Sequence, residues 1–135
     1  MNFPVNFKNI WATLLFCVIT VSLFAQQSQE FTLKGTLINS SEIHNDIYIT
    51  YPQFLHKKLE HAVIKNNQYE FKGTIEEPTG LILSFDAKPT LNNYITIIVS
   101  PGEMKITTSA GLKDIIASGN GAKAQNEFNL SLIHI

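Results

Sequence analysis

Few residues in this chain are capable of chemistry, and they are scattered. His44 and Asp46 stand two apart, on one face of any strand that carries them, and His56 and His61 flank Lys57-Lys58-Leu59-Glu60. Histidines near a carboxylate invite a metal reading, since a zinc site needs imidazole, thiolate or carboxylate ligands converging on one point. The spacing speaks against it. Five apart, His56 and His61 point to opposite faces of a strand, and on a helix they miss the i, i+4 stacking of paired ligands. His44 and Asp46 lack a third partner. Asp86 and Glu103 show no pairing for general acid–base work. No serine stands in a nucleophile elbow, and no glycine-rich loop joins a strand to a helix. The expectation is that the chain carries no catalytic, cofactor-binding or metal-ligating residue. Tyr48 and Tyr51 would suit stacking on a sugar ring if exposed, although an aromatic in a sandwich strand more often belongs to the core.

The only cysteine, Cys17, falls inside a segment that reads as a secretory signal peptide, residues 1–25. A polar start with one positive charge (Lys8) leads into an unbroken apolar run over 10–24, then Ala25 and polar Gln26-Gln27-Ser28-Gln29. The run is shorter than the ~20 apolar residues of a membrane span. Leu23 is large for its place three before the cut, so an uncleaved anchor is the alternative. Leu14-Leu15-Phe16 ends in a bulky aromatic where a lipoprotein cysteine wants a small neighbour, so Cys17 is a hydrophobe of the signal core. The expected mature protein is exported, thiol-free and without a transmembrane span.

The elements that would position any site are strands. About 110 residues follow the signal, enough for one domain with one core. Residues 31–37 alternate Phe31, Leu33, Gly35 and Leu37 with Thr32, Lys34 and Thr36, the period of a half-buried strand. Further strands are expected over 47–51 (stopped by Pro52), 59–64, 69–75, 81–85, 94–100 and 104–108. Lys65-Asn66-Asn67 makes a hairpin turn, because Asn tolerates positive φ. The run 94–100 is almost continuously apolar and reads as central. Leu112, Ile115 and Ile116 recur at the spacing of a short helical turn, and 122–128 favours a helix after Gly119-Asn120-Gly121. About seven evenly spaced strands predict an all-β, antiparallel β-sandwich with a short C-terminal helical start. The strands 31–37 and 69–75 share the pattern aromatic-x-apolar-Lys-Gly-Thr-apolar. Its glycines fall on the apolar face, which suggests a structural role, a bulge or close approach, rather than a repeated ligand motif.

Charge excludes one partner class. Ten Lys and no Arg stand against eleven acids, a net charge of −1, which becomes −2 without Lys8. There is no basic patch for a phosphate backbone, so nucleic acid is not expected. Without Arg there is no bidentate fork for a carboxylate or phosphate.

The order of motifs resembles a known family. Phe31-x-Leu33-x-Gly35, Asn67-x-Tyr69-x-Phe71-x-Gly73-x-Ile75-x-Glu77-Pro78, Ile98-Val99-x-Pro101-Gly102, Gly119-Asn120-Gly121 and Gln125-Asn126-Glu127-Phe128 together resemble an uncharacterised β-rich leader domain of exported Bacteroidetes proteins. The resemblance covers about 31–128. It implies a sandwich that precedes a helical linker and a thioredoxin-like domain of the TlpA or AhpC/TSA kind, in the periplasm or cell envelope of a Gram-negative bacterium. That downstream domain would supply a Cys-x-x-Cys pair for thiol–disulfide exchange. The resemblance also implies a non-catalytic accessory domain, with its own thioredoxin-like domain or another protein as partner. The alternatives are a stand-alone secreted module for glycans or peptides, or a cell-surface assembly component. On this reading 26–118 is the leader domain and 119–129 begins the linker. The tail 130–135 matches one reading frame of a sequencing-library adapter and is expected to be an artefact; the alternative is a genuine C-terminal strand.

Overall fold

The computed structural model describes residues 27–39, 42–51, 58–109 and 111–133. The signal segment with Cys17, and also Pro52, His56, His134 and Ile135, lie outside the described residues. Among the described residues, alternating apolar side chains fold into eight strands: β1 (Gln29–Ile38), β2 (Asp46–Tyr51), β3 (Lys58–Val63), β4 (Gln68–Ile75), β5 (Thr79–Ser84), β6 (Tyr94–Val99), β7 (Gly102–Ser109) and β8 (Ile115–Ser118). A 3-10 turn over Asn120–Ala122 leads into a helix, α1 (Lys123–Ile133). The strands form two four-stranded sheets, in the orders β4-β1-β7-β8 and β3-β2-β5-β6. Phe31, Leu33 and Met104 of the first meet Ile47, Leu83 and Ile97 of the second in one buried core. The all-β sandwich is the observed architecture.

Three details differ from the sequence reading. The first is an eighth strand where a helical turn was expected. Leu112 turns the chain at φ 50 and buries its side chain, and Ile115–Ser118 pairs with β7. Short apolar runs do not distinguish a turn of helix from an edge strand; the open side of β7 makes the choice. The second concerns the ladders. β1 and β7 run parallel, Phe31 opposite Gly102 and Ile38 opposite Ser109, so the sandwich is not wholly antiparallel. The third is β6, which lies at the edge of its sheet rather than at its centre. Beside it lies α1, which also carries the chain through residues 130–133, where a C-terminal strand was the alternative.

The repeated pattern has a tertiary reason. β1 and β4 pair with each other in unbroken register, Gly35 opposite Tyr69 and Phe31 opposite Gly73. Each glycine therefore faces the aromatic of the other strand. A Cβ on Gly35 would fall 1.9 Å from the Tyr69 ring, and one on Gly73 would fall 2.8 Å from the Phe31 ring. The glycines make room for rings rather than bulging the strand. Asn66 and Asn67 take φ 52 and 60 as expected, and Lys65 and Gln68 exchange backbone hydrogen bonds of 2.9 Å across them. This turn links β3 in one sheet to β4 in the other. Among the described residues no helix is long and apolar enough to cross a membrane.

Candidate functional site

The cross-strand register of β2 and β3 assembles a cluster on the outer face of their sheet. Tyr48 stands opposite His61, and Asp46 opposite Val63. His61 Nε2 lies 2.6 Å from Asp46 Oδ1, and the Tyr48 ring packs against the imidazole with centroids 5.0 Å apart. Asp46 thus finds its partner across the ladder rather than in His44. His44 lies flat on Phe85, with ring centroids 3.7 Å apart and planes 4° from parallel, and it reaches Glu42 at 3.5 Å. Chemically, the exposed His61–Asp46 pair holds an imidazole in one orientation, as a carboxylate does beside a general base. Its next neighbour is an aromatic face, not a nucleophile. No group of three or more His, Cys, Asp or Glu side chains among the described residues could hold a metal ion.

The other residues singled out from sequence go elsewhere. Tyr51 points into the core, where its hydroxyl donates to Glu60 Oε2 at 3.3 Å, and Lys58 reaches Glu60 Oε1 at 2.6 Å. Burial pushes the Tyr51 phenol well above its ordinary range, and the Glu60 charge beside it adds to the rise. Asp86 braces the β5–β6 loop: its carboxylate accepts from the Asn93 amide, and its carbonyl accepts from the Ser84 hydroxyl at 2.7 Å. Glu103 is on the outer face of the first sheet, 2.9 Å from Lys34 and 3.5 Å from Lys105. The hydrogen bond and charge of Lys34 hold its carboxyl below the usual range and raise Lys34 in return. Asp86 and Glu103 therefore serve different elements. A depression of about 750 Å³ lies over that same outer face and is lined by Lys34, Thr36, Gln68, Glu70 and Lys105 among others.

A second surface centres on α1, and the sequence reading missed how it is held. Gln125, 2 % exposed, accepts the Ile98 amide of β6 at 2.7 Å and donates to Asn129 at 2.9 Å. Gly121 accepts the Ser100 amide at 2.9 Å, and Gly119, at φ 95, lies so close to the Glu103 carbonyl that a Cβ would come within 2.3 Å of it. These contacts clamp the start of the helix to the sandwich. Its later turns keep Phe128, Leu130, Leu132 and Ile133 exposed. Phe128 and Leu132 line a notch of about 330 Å³ with Ile95 and Ile115. The signal for Gln125 was its place four residues before Asn129 on a helix face; which strand edge it would meet was not readable.

A model of the family described as a domain of unknown function (DUF4369) matches residues 31–128. No curated protein and no solved structure matches the chain.

Proposed function

We infer a role from membership: the chain belongs to the DUF4369 family of domains of unknown function, and we propose that it is a non-catalytic accessory domain of an exported thiol–disulfide oxidoreductase of thioredoxin fold. The observation that carries this reading is α1. Its first turn is fastened to β6 through Gln125, and its next turn presents Phe128 to solvent, at the end of the stretch that matches the family and before the tail 130–135. A rigid helix with an apolar surface suits packing against another domain. Support for the redox parent is the resemblance of residues 31–128 to leader domains that precede TlpA or AhpC/TSA domains. In this role the sandwich positions the catalytic domain or recognises its partner, while the Cys-x-x-Cys pair of that domain carries the thiol exchange.

The test is the DNA that follows the codon for Ile135, read from an independent clone. An in-frame Cys-x-x-Cys within the next couple of hundred codons is expected; a native stop codon would sink the parent. The 135-residue chain should reduce insulin no faster than buffer, and turnover above that level would end the claim that it is non-catalytic. One observation favours a second reading, a stand-alone module for glycans or peptides: Tyr48 stands on the outer sheet face against His61. Saturable binding of a glycan that Tyr48→Ala abolishes, together with a native stop codon, would select it.

A further inference from the structure

The two outer faces of the sandwich differ in charge. On the β4-β1-β7-β8 sheet the outward positions carry Lys34, Lys72 and Lys105 against Glu30, Glu70 and Glu103. On the β3-β2-β5-β6 sheet they carry one pair, Asp46 with His61. Lys58 and Glu60 belong to the other side of β3, where they hold each other at 2.6 Å.

Register gathers rings on this second face. Directly opposed residues of neighbouring strands share a face. His61 stands opposite Tyr48, Tyr48 opposite Ser84, and Ser84 opposite Tyr94, so one row crosses all four strands. Ser84 is short and fully buried, with its hydroxyl donated to the Asp86 carbonyl. The exposed surface of the row therefore belongs to three rings. Tyr94 is 39 % exposed at one end, and the His61 side chain is 47 % exposed at the other. Tyr48 and His61 pack with centroids 5.0 Å apart. Two strand spacings set the backbone of Tyr94 about 10 Å from that of Tyr48. The next row, Leu59-Thr50-Ile82-Thr96, adds two hydroxyls and no charge.

We propose that this row binds an uncharged oligosaccharide laid across the strands, with Tyr94 and the Tyr48–His61 pair as two stacking stations and Asp46 as a hydrogen-bond acceptor. The inference rests on the glycan half of the second reading above and gives it a surface. The C–H faces of a sugar ring stack on the electron-rich faces of aromatic rings. Its hydroxyls need acceptors and donors beside those rings. With Oδ1 held by His61, Asp46 still has a second carboxylate oxygen to accept, and His61 has Nδ1. Charge selects against other ligands: an anionic chain finds no lysine on this face, and the one carboxylate is already held. Rings set at intervals suit a polymer of like units, which presents like faces at intervals.

The test titrates the full chain with cellohexaose, maltohexaose, laminarihexaose and chitohexaose by calorimetry, with polygalacturonate and heparin as charged comparisons, and follows amide shifts by NMR. Saturable binding of at least one neutral hexamer is expected, with Kd below about 1 mM. The largest shifts should fall on Tyr48, His61 and Tyr94. Tyr94→Ala should weaken binding at least about fivefold, whereas Tyr94→Phe, which keeps the ring, should stay within about twofold. Lys105→Ala, on the other sheet, should change nothing. Tyr94 is exposed, and an unchanged melting curve verifies that each variant folds. Failure of all four hexamers to bind would overturn the proposal. So would binding that Tyr94→Ala leaves intact, equal binding of polygalacturonate, or shifts confined to β1, β4 and β7. A self-associated chain that Tyr94→Ala makes monomeric, with no hexamer bound, would assign the face to a protein contact and overturn it too. The two readings fail separately. A failed titration leaves the peptide half of the second reading standing, and a downstream Cys-x-x-Cys removes the stand-alone module without touching the row of rings.

Discussion

At the scale of single residues, the most constrained positions are the two glycines that face aromatic rings. Gly35 and Gly73 were legible from sequence as structural, because both sit on the apolar face of an alternating strand. What the spacing did not contain was their reciprocity, since it arises from register between β1 and β4. The strain of adding a methyl is unequal at the two sites. At Gly35 it would fall inside the Tyr69 ring, at 1.9 Å, whereas at Gly73 the Phe31 ring at 2.8 Å has less far to move. Gly35→Ala should cost about 2–3 kcal/mol, the upper part of the range for overpacked cores, and Gly73→Ala less. Urea denaturation measures both, and Tyr69→Leu should relieve much of the Gly35→Ala loss in a double-mutant cycle. Equal losses in the two single variants would show that ring displacement is not the cause. Asp46 and His61 make the same point about register. Their residue types were visible, but their 2.6 Å contact depends on how β2 and β3 align in the ladder.

Elements tell a different story, because the strands were readable and their neighbours were not. Residues 94–100 are apolar enough to suggest a central strand, yet β6 is an edge. Part of the cover that a neighbouring strand would supply comes from α1, and Gln125 takes the place of one missing ladder acceptor. Local periodicity reports that a surface is covered, not what covers it. Gln125→Leu keeps the bulk of the side chain but removes the acceptor, and a buried amide without a partner costs about 1–3 kcal/mol. The variant should lose stability by that amount, and the Ile98 amide should exchange faster than its neighbours in β6. Unchanged exchange at Ile98 would mean that water already serves that donor. The eighth strand carries a related lesson: Leu112 is buried as expected of a periodic apolar residue, but its φ of 50 directs the chain into a strand rather than a helix.

For the molecule as a whole, the clearest consequence of the buried core is its response to alkali. Burial pushes the phenols of Tyr69 and Tyr51 upwards; Glu60 adds to the rise at Tyr51, and the Thr108 hydroxyl works against it at Tyr69. Tyr69 and Thr108 lie close, but neither hydroxyl has a hydrogen-bond partner among the described residues, so the Thr108 dipole only tempers the effect of burial. In the unfolded chain these phenols ionise near pH 10. A phenol raised in the folded state contributes stability that is complete below that pH. The contribution is lost as pH rises towards the folded value, because the unfolded chain releases its protons first. Urea midpoints should therefore fall beyond about pH 10, and a Tyr51→Phe, Tyr69→Phe double variant should show a shallower fall. An equally steep decline in that variant would assign the alkaline limb to other groups. The exposed Lys34–Glu103 pair contributes little by comparison, since solvent screens it.

The amino-acid sequence by itself determined the class of this protein. Alternating apolar residues, Asn turns and Pro-Gly breaks specify strands of set length with one buried face, and strands of that kind have few ways to pack except as two facing sheets. It also contained the family, because short structural motifs in a fixed order survive as local patterns. Tertiary structure alone decided which strand lies beside which. It placed Gly35 under Tyr69, Asp46 beside His61, and Gln125 on the edge of β6. The physical reason is that side-chain period is a local property of the backbone, whereas register and edge exposure depend on contacts between segments far apart in the chain.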